Sequence, residues 1–292
     1  MRRSNHSRGG FTLVELLVVI TIIGILAALT TAAVVKAIGK GDEVKLRSEI
    51  SQLSQAVQAF KQQYSVGYMP DKLVLPPGFD LASQQYLKSV WPRLNASALT
   101  ATSGTFTVNG TNYTPFTYWQ VQGSQPVTLQ GDQLLVFWLG GPRDASNNCL
   151  GWSTDGTDPM KQAGTRVPPF FTFPANRLQV FGGTGRAAFP SFVDAIGVMP
   201  YLYFSTNRAD NSYSNSITLA TGTVQPYLLS GTVSAPRWVN PSSFQIISAG
   251  KDGVFGNGLG EWVGYTPGGG ASQAGYDDVA NFHPTQLGAP SN

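Results

Sequence analysis

Charge, histidine and cysteine are all scarce in this sequence. Charged residues make up 12% of the 292, against 42% hydrophobic ones, a low share for a chain that stays dissolved along its whole length. The single cysteine, Cys149, rules out an intramolecular disulfide and reads as a small buried apolar residue rather than a reactive thiol. The two histidines are His6 and His283. A Cys/His zinc centre therefore has too few ligands, and a Ser-His-Asp or Cys-His nucleophile would have to recruit His283 from a tail rich in Pro and Gly. No GxSxG, P-loop or HExxH sequence occurs, and Gly182-Gly-Thr-Gly185 lacks the Lys-Ser/Thr that a phosphate cradle needs. Nothing in the order of residues suggests paired acids for glycoside hydrolysis. The sequence is read as that of a protein without catalytic activity. No cluster of five or more Lys/Arg is present, and Arg2, Arg3 and Arg8 account for the whole excess of 19 basic over 16 acidic residues. No nucleic-acid partner is expected.

The chain does have one long apolar run. Leu16 to Val35 is uncharged throughout, enough at helical rise to cross about 30 Å of hydrocarbon. The arginines lie before it, which predicts a cytoplasmic N-terminus and an exported C-terminal bulk. An ordinary secretory signal is the weaker reading, because the helical pattern runs on without a cleavage site and a loop-like exit. The order is basic leader, Gly9-Gly10, Phe11-Thr12-Leu13-Val14-Glu15, then the apolar run. This RGGFTLVELLVVI stretch resembles the leader of type IV pilins and of the pseudopilins of type II secretion. The resemblance implies cleavage by a prepilin peptidase between Gly10 and Phe11, with Phe11 becoming the N-methylated first residue. Glu15 is the lone charge from Phe11 to Val35, and a carboxylate there is costly in lipid. The resemblance implies that it meets the amine of Phe11 on a neighbouring subunit and so fixes axial register. The other reading is a headgroup-level carboxylate or a charge on the helix dipole.

Beyond Lys36 the apolar positions Leu46, Ile50, Leu53, Val57, Phe60 and Tyr64 recur every three or four residues. That is one stripe of an amphipathic helix, too short for an independent coiled coil. A single helix is predicted from about Thr12 to Tyr64, leaving the bilayer near Lys36, with Gly39 and Gly41 permitting a bend or local melting. Gly67 and Pro70 end it. Phe60-Lys61, Tyr64 and Tyr68-Met69-Pro70 resemble the end of the first helix in major pseudopilins. Ala32 stands where that family often has proline, so a straighter helix is implied there.

Gly (33) and Pro (19) are plentiful and concentrate beyond residue 65, which favours a head of strands and turns. Strands are expected at Gln133–Leu139, Phe170–Phe173, Tyr201–Ser205 and Ser243–Ser248, with a short helix at Ala82–Val90. Trp91, Trp119, Trp138 and Trp152 read as core rather than as a binding surface. Near the C-terminus, Ser248-Ala-Gly-Lys-Asp-Gly253 and Tyr276-Asp-Asp-Val-Ala-Asn-Phe282 resemble the end of the major pseudopilin. The resemblance implies a calcium loop with Asp252, Asp277 and Asp278 as side-chain ligands, and carbonyls of a glycine-rich loop would complete the shell of a hard cation. An Asp-Gly turn with a solvated acidic pair is the plainer reading. Asp155-Gly-Thr-Asp158 is a rival cation loop.

The expected fold is α+β: a long N-terminal helix, half transmembrane and half amphipathic, packed pilin-like on an antiparallel sheet, with a large strand- and loop-rich insertion. The expected organisation is a leader at 1–10, a membrane helix at 11–36, a stem at 37–66 and a head at 67–292, with the calcium region at 245–283. The resemblance implies a structural subunit of a type II secretion pseudopilus or a type IV pilus-like filament. Its partners would be the prepilin peptidase, copies of itself, other pseudopilins and an inner-membrane assembly platform. It would sit in the inner membrane as a single-pass protein with a periplasmic head, the assembled filament lying in the periplasm or at the cell surface. The alternative is a membrane-tethered binding protein or hydrolase whose activity lies in residues 72–243.

Overall fold

A computed structural model describes residues 12–287 except 76–79, 102–103, 123–126, 184, 198, 208–210, 233–234, 257–274 and 285. It is a mixed helix and sheet protein with two compact units, Met1–Val44 and Lys45–Asn292. The division falls inside the segment read as the stem.

Helix α1 spans Leu13–Gln63 and is unbroken through Gly39 and Gly41, so the expected melting there does not occur. Within the first unit, Leu13–Thr31 is long and apolar enough to cross a membrane and none of it is buried; Leu13, Leu29 and Ile25 are 79, 66 and 62% exposed. Water does not tolerate such a surface over five turns, which is why the segment requires lipid or other apolar helices around it.

In the second unit the stripe predicted from spacing is the buried one. Leu46, Ile50, Leu53, Ala56, Val57 and Phe60 are all sealed, in the same apolar cluster as Tyr201, Tyr203, Phe244 and Ile246. The latter four belong to an antiparallel sheet and its edge: Leu202–Ser205, Phe244–Ser248 and Val279–Ala280, with Phe244–Ser248 in the centre. Every residue of the central strand is buried, as expected of a strand covered on both faces. The remaining sheets have two short strands each. They cannot by themselves hold a core.

Helices α2 (Leu81–Val90), α3 (Ala96–Thr100), α4 (Pro115–Trp119) and α5 (Gly131–Gly140) follow in the head. Asp80 caps α2 by accepting from Ser83 N at 2.7 Å. Helix α5 corrects the strand expected at Gln133–Leu139. It opens with Gln130 N–H donating to Gln133 Oε1 at 3.1 Å, and all ten of its residues are buried. Its start presses on the sheet, since a Cβ at Gly131 would lie 1.8 Å from the Tyr203 carbonyl oxygen, a contact only glycine permits. No strand forms at 170–173; Pro168, Pro169 and Pro174 flank that segment and remove ladder donors. The four tryptophans are core, as expected: Trp91 and Trp152 meet at 4.5 Å, and Trp152 Nε1 donates to the Trp138 carbonyl at 2.9 Å.

Two ion pairs tie this unit together. Arg186 and Asp132 are fully sealed at 2.6 Å. Arg177 reaches Glu49 of α1 through both terminal nitrogens, at 2.8 and 2.6 Å, while Tyr201 donates its hydroxyl to the same carboxylate at 2.7 Å.

Candidate functional site

Three places carry the residues singled out by sequence: the leader junction, the start of α1 and the C-terminal acidic turn. Gly10 and Phe11 lie outside the described residues. Glu15 is described, and it is not idle. Its Oε2 accepts from the backbone N–H and the hydroxyl of Thr12, both at 2.8 Å, and Thr12 Oγ1 accepts from Glu15 N at 3.2 Å. Thr12 and Glu15 thus form a capping box that satisfies otherwise orphaned donors at the helix start. The Thr-x-x-Glu spacing is the signal in the sequence for this cap, which adds to the interaction of Glu15 with the helix dipole.

At the C-terminus the chain turns through Lys251–Gly253, and Gly250 has a φ of 64°. A Cβ there would sit 2.2 Å from the Asp277 carbonyl oxygen. The close approach brings Asp252 and Asp277 together: Asp277 Oδ2 accepts from the backbone N–H groups of Lys251 at 2.5 Å and Asp252 at 3.0 Å. Asp278 is fully buried. Its Oδ2 accepts from Gly256 N at 3.1 Å and from the Tyr227 hydroxyl. Each of the adjacent carboxylates therefore commits one oxygen to the fold. The other oxygens, Oδ1 of Asp277 and Oδ1 of Asp278, are buried without a hydrogen-bond partner among the described residues. Burial pushes the Asp278 carboxyl up to about 7, and burial together with the Asp277 charge raises Asp252. Buried, unpartnered carboxylate oxygens are costly unless a proton or a cation satisfies them. Among the described residues no three Asp, Glu, His or Cys side chains converge on one point, so any cation here would take further ligands from carbonyls.

In the rival loop at Asp155–Asp158 the half-buried Asp155 is already satisfied, while Oδ1 of the buried Asp158 has no hydrogen-bond partner among the described residues. Asp155 accepts from Thr157 N (3.0 Å), the Thr157 hydroxyl (2.6 Å) and Asn109 Nδ2 (2.8 Å), and Lys161 lies 3.7 Å away. A lysine in that position supplies the positive charge that a metal would bring.

Residues 5–31 match the prokaryotic N-terminal methylation motif, the prepilin-type leader of type IV pilins and pseudopilins. The match covers Arg8, Gly10, Phe11, Glu15 and the exposed apolar stretch of α1. No curated protein and no solved structure matches the chain. The motif supports a type IV pilin-like or pseudopilin class of protein, and it implies processing by a prepilin peptidase and association with a membrane. With the single apolar helix at the N-terminus, it fits a single-pass anchor.

Proposed function

We propose, for a chain that opens with a prepilin leader, that the mature protein is a filament subunit of the pseudopilus or type IV pilus kind. It is cut between Gly10 and Phe11 and assembled through α1. One observation carries this reading: the segment Leu13–Thr31 that follows the leader is strongly apolar, with Glu15 its one charge, and is buried nowhere. In a lone anchor Glu15 would serve only to cap the helix with Thr12, whereas in a filament its charge can also pair with the Phe11 amine of a neighbour and penalise any shifted register. The buried stripe on residues 46–60 of the same helix holds the head, in the manner of a pilin stem on its sheet. Type II secretion is the favoured setting, because the Asp252, Asp277 and Asp278 turn resembles that of its major pseudopilin. The inner membrane with a periplasmic head is the corresponding location.

The two orphaned carboxylate oxygens support a calcium ion at this turn. Such an ion takes about six to eight oxygens, so Asp277 Oδ1 and Asp278 Oδ1 would serve as ligands, joined by Asp252 and by backbone carbonyls. Its role would be to neutralise the clustered charge and fix the turn against the central strand.

The decisive experiment isolates crosslinked or sheared filaments from cells with and without the prepilin peptidase. The expected result is ordered multimers containing this chain only when the peptidase is present. Monomers that stay in the membrane in both backgrounds would overturn the proposal.

A further inference from the structure

Arginine side chains buried or half-buried in the head offer a comparison within one molecule. Arg177 grips Glu49 with both terminal nitrogens while its guanidinium carbon lies 4.3 Å over the centre of the Phe192 ring. Arg186 grips Asp132, and Arg166 donates to the carbonyl oxygens of Leu150, Lys161 and Gly151. Arg143 repeats the stacked half of the Arg177 arrangement, its guanidinium carbon 4.4 Å over the Phe189 ring. The acidic half is missing. Its one side-chain hydrogen bond among the described residues is a long one, from Nη2 to the Gln120 carbonyl at 3.4 Å. The nearest acid in sequence, Asp144, is turned into its own loop, accepting from Ser146 N, Asn148 N and Asn148 Nδ2 at 2.8, 2.9 and 3.1 Å.

The residue is nevertheless held firmly. Gln120 Oε1 accepts from Arg143 N at 2.8 Å, and the Arg143 carbonyl accepts from Gln120 Nε2 at 2.9 Å and Gln162 Nε2 at 3.0 Å. Burial pulls the guanidinium below its ordinary value, with the neighbouring Cys149 acting in the opposite direction. Arg143 lines a cavity of about 370 Å³. Gln120, Gln122 and Asn147 supply amides to its wall, and Leu178 and Val180 an apolar side; Val180 is 60% exposed.

We propose that this cavity is a carboxylate-binding site, in which Arg143 takes a carboxylate on its fork and Leu178 and Val180 receive a short apolar arm attached to it. A guanidinium stacked on a ring, rigid at its backbone and with most of its donors unused, is pre-organised for a planar two-oxygen acceptor. The wall also contains Asp144, so the site carries one positive and one negative group. That balance suits a monoanion and disfavours a phosphate dianion. The carboxylate can come from an acidic side chain in a peptide segment or from a free organic acid.

The test uses the full chain in detergent, with saturation-transfer NMR and four probes: isovalerate, the peptide N-acetyl-Val-Glu-Val-amide, isovaleramide and inorganic phosphate. The expected result is that isovalerate, the peptide or both bind at least tenfold more tightly than isovaleramide, and that phosphate does not compete. Peptide binding alone assigns a protein segment as the natural ligand, and isovalerate binding alone assigns a free acid. Arg143→Gln should abolish the binding and Arg143→Lys weaken it at least fivefold. Val180→Asp, at an exposed position, should also weaken it and serves if Arg143→Gln does not fold. Equal binding of the acid and its amide, competition by phosphate, no binding of either carboxylate, or unchanged affinity in Arg143→Lys and Val180→Asp would each overturn the site.

Discussion

Replacing Glu49 by alanine removes the anion from a three-way contact between α1 and the head. The carboxylate accepts two guanidinium bonds and one from a tyrosine hydroxyl, and the pair is sheltered, with Arg177 24% and Glu49 15% exposed at their side chains. Breaking a fully buried pair by removing one partner costs about 3–5 kcal/mol, because the remaining charge is left unpaired. Arg177 keeps its bonds to the Val193 carbonyl, at 3.1 and 2.6 Å, and some water. That residual solvation lowers the expected loss to about 2–3 kcal/mol, roughly 5–10 °C for a unit of this size. The measurement is thermal and urea unfolding of the full chain in detergent for Glu49→Ala, Arg177→Met and the double variant. The cycle should return a coupling of about 1.5–2.5 kcal/mol, changing by only a few tenths between about 0.1 and about 0.5 M salt. A coupling below about 0.5 kcal/mol would refute the reasoning, since that is the value of a solvent-exposed pair.

Glu15→Gln keeps an N3 side chain able to close the capping box with Thr12 but removes the charge, whereas Glu15→Leu removes both. If charge pairing drives assembly, both variants reach the membrane and are processed yet neither enters filaments; normal assembly of Glu15→Gln would leave capping as the residue's whole role. Calcium at about one hundred times its dissociation constant should stabilise the head by roughly 2.7 kcal/mol, a shift that a chelator reverses and that Asp277→Asn and Asp278→Asn abolish. Melting that ignores both calcium and chelator would remove the metal from the turn. Burial pushes the Cys149 thiol from 9.0 up to about 11. At pH 8 the thiolate is therefore about 100-fold scarcer than for an unperturbed cysteine. Alkylation of the folded protein should be slow to that extent, and it should climb about tenfold per pH unit until the thiol titrates. Rapid labelling at pH 7 would contradict the burial argument.

The stem was legible because helical spacing is a property of the chain alone: residues 46–60 bury the face that their period marked. Helix α5 was not, because Leu134–Leu139 is a continuous apolar run, and such a run gives no period by which to tell a sealed helix from a sealed strand. The Gln130–Gln133 capping pair was the local clue. At the candidate sites, neighbours in sequence could be found and distant partners could not. The adjacency of Asp277 and Asp278 is written in the chain, but the Tyr227 hydroxyl that occupies Asp278 arrives from 51 residues away. Glu49 and Arg177 are separated by 128 residues, with nothing in either neighbourhood to name the other. Arg143 gave no signal for a similar reason: what distinguishes it is an absent counter-charge, and only the folded surroundings can reveal that.

Composition invites anyone preparing a water-soluble fragment to cut the polypeptide just after Gln63, where the long helix ends. Doing so would discard Leu46, Ile50, Leu53, Val57 and Phe60, which plug the interior of the very piece being kept. What remained would have an open trough where a wall belongs, and Arg177 and Tyr201 would face it without Glu49. A workable boundary lies just ahead of Lys45, downstream of the membrane-like residues and upstream of the stripe that fills the head.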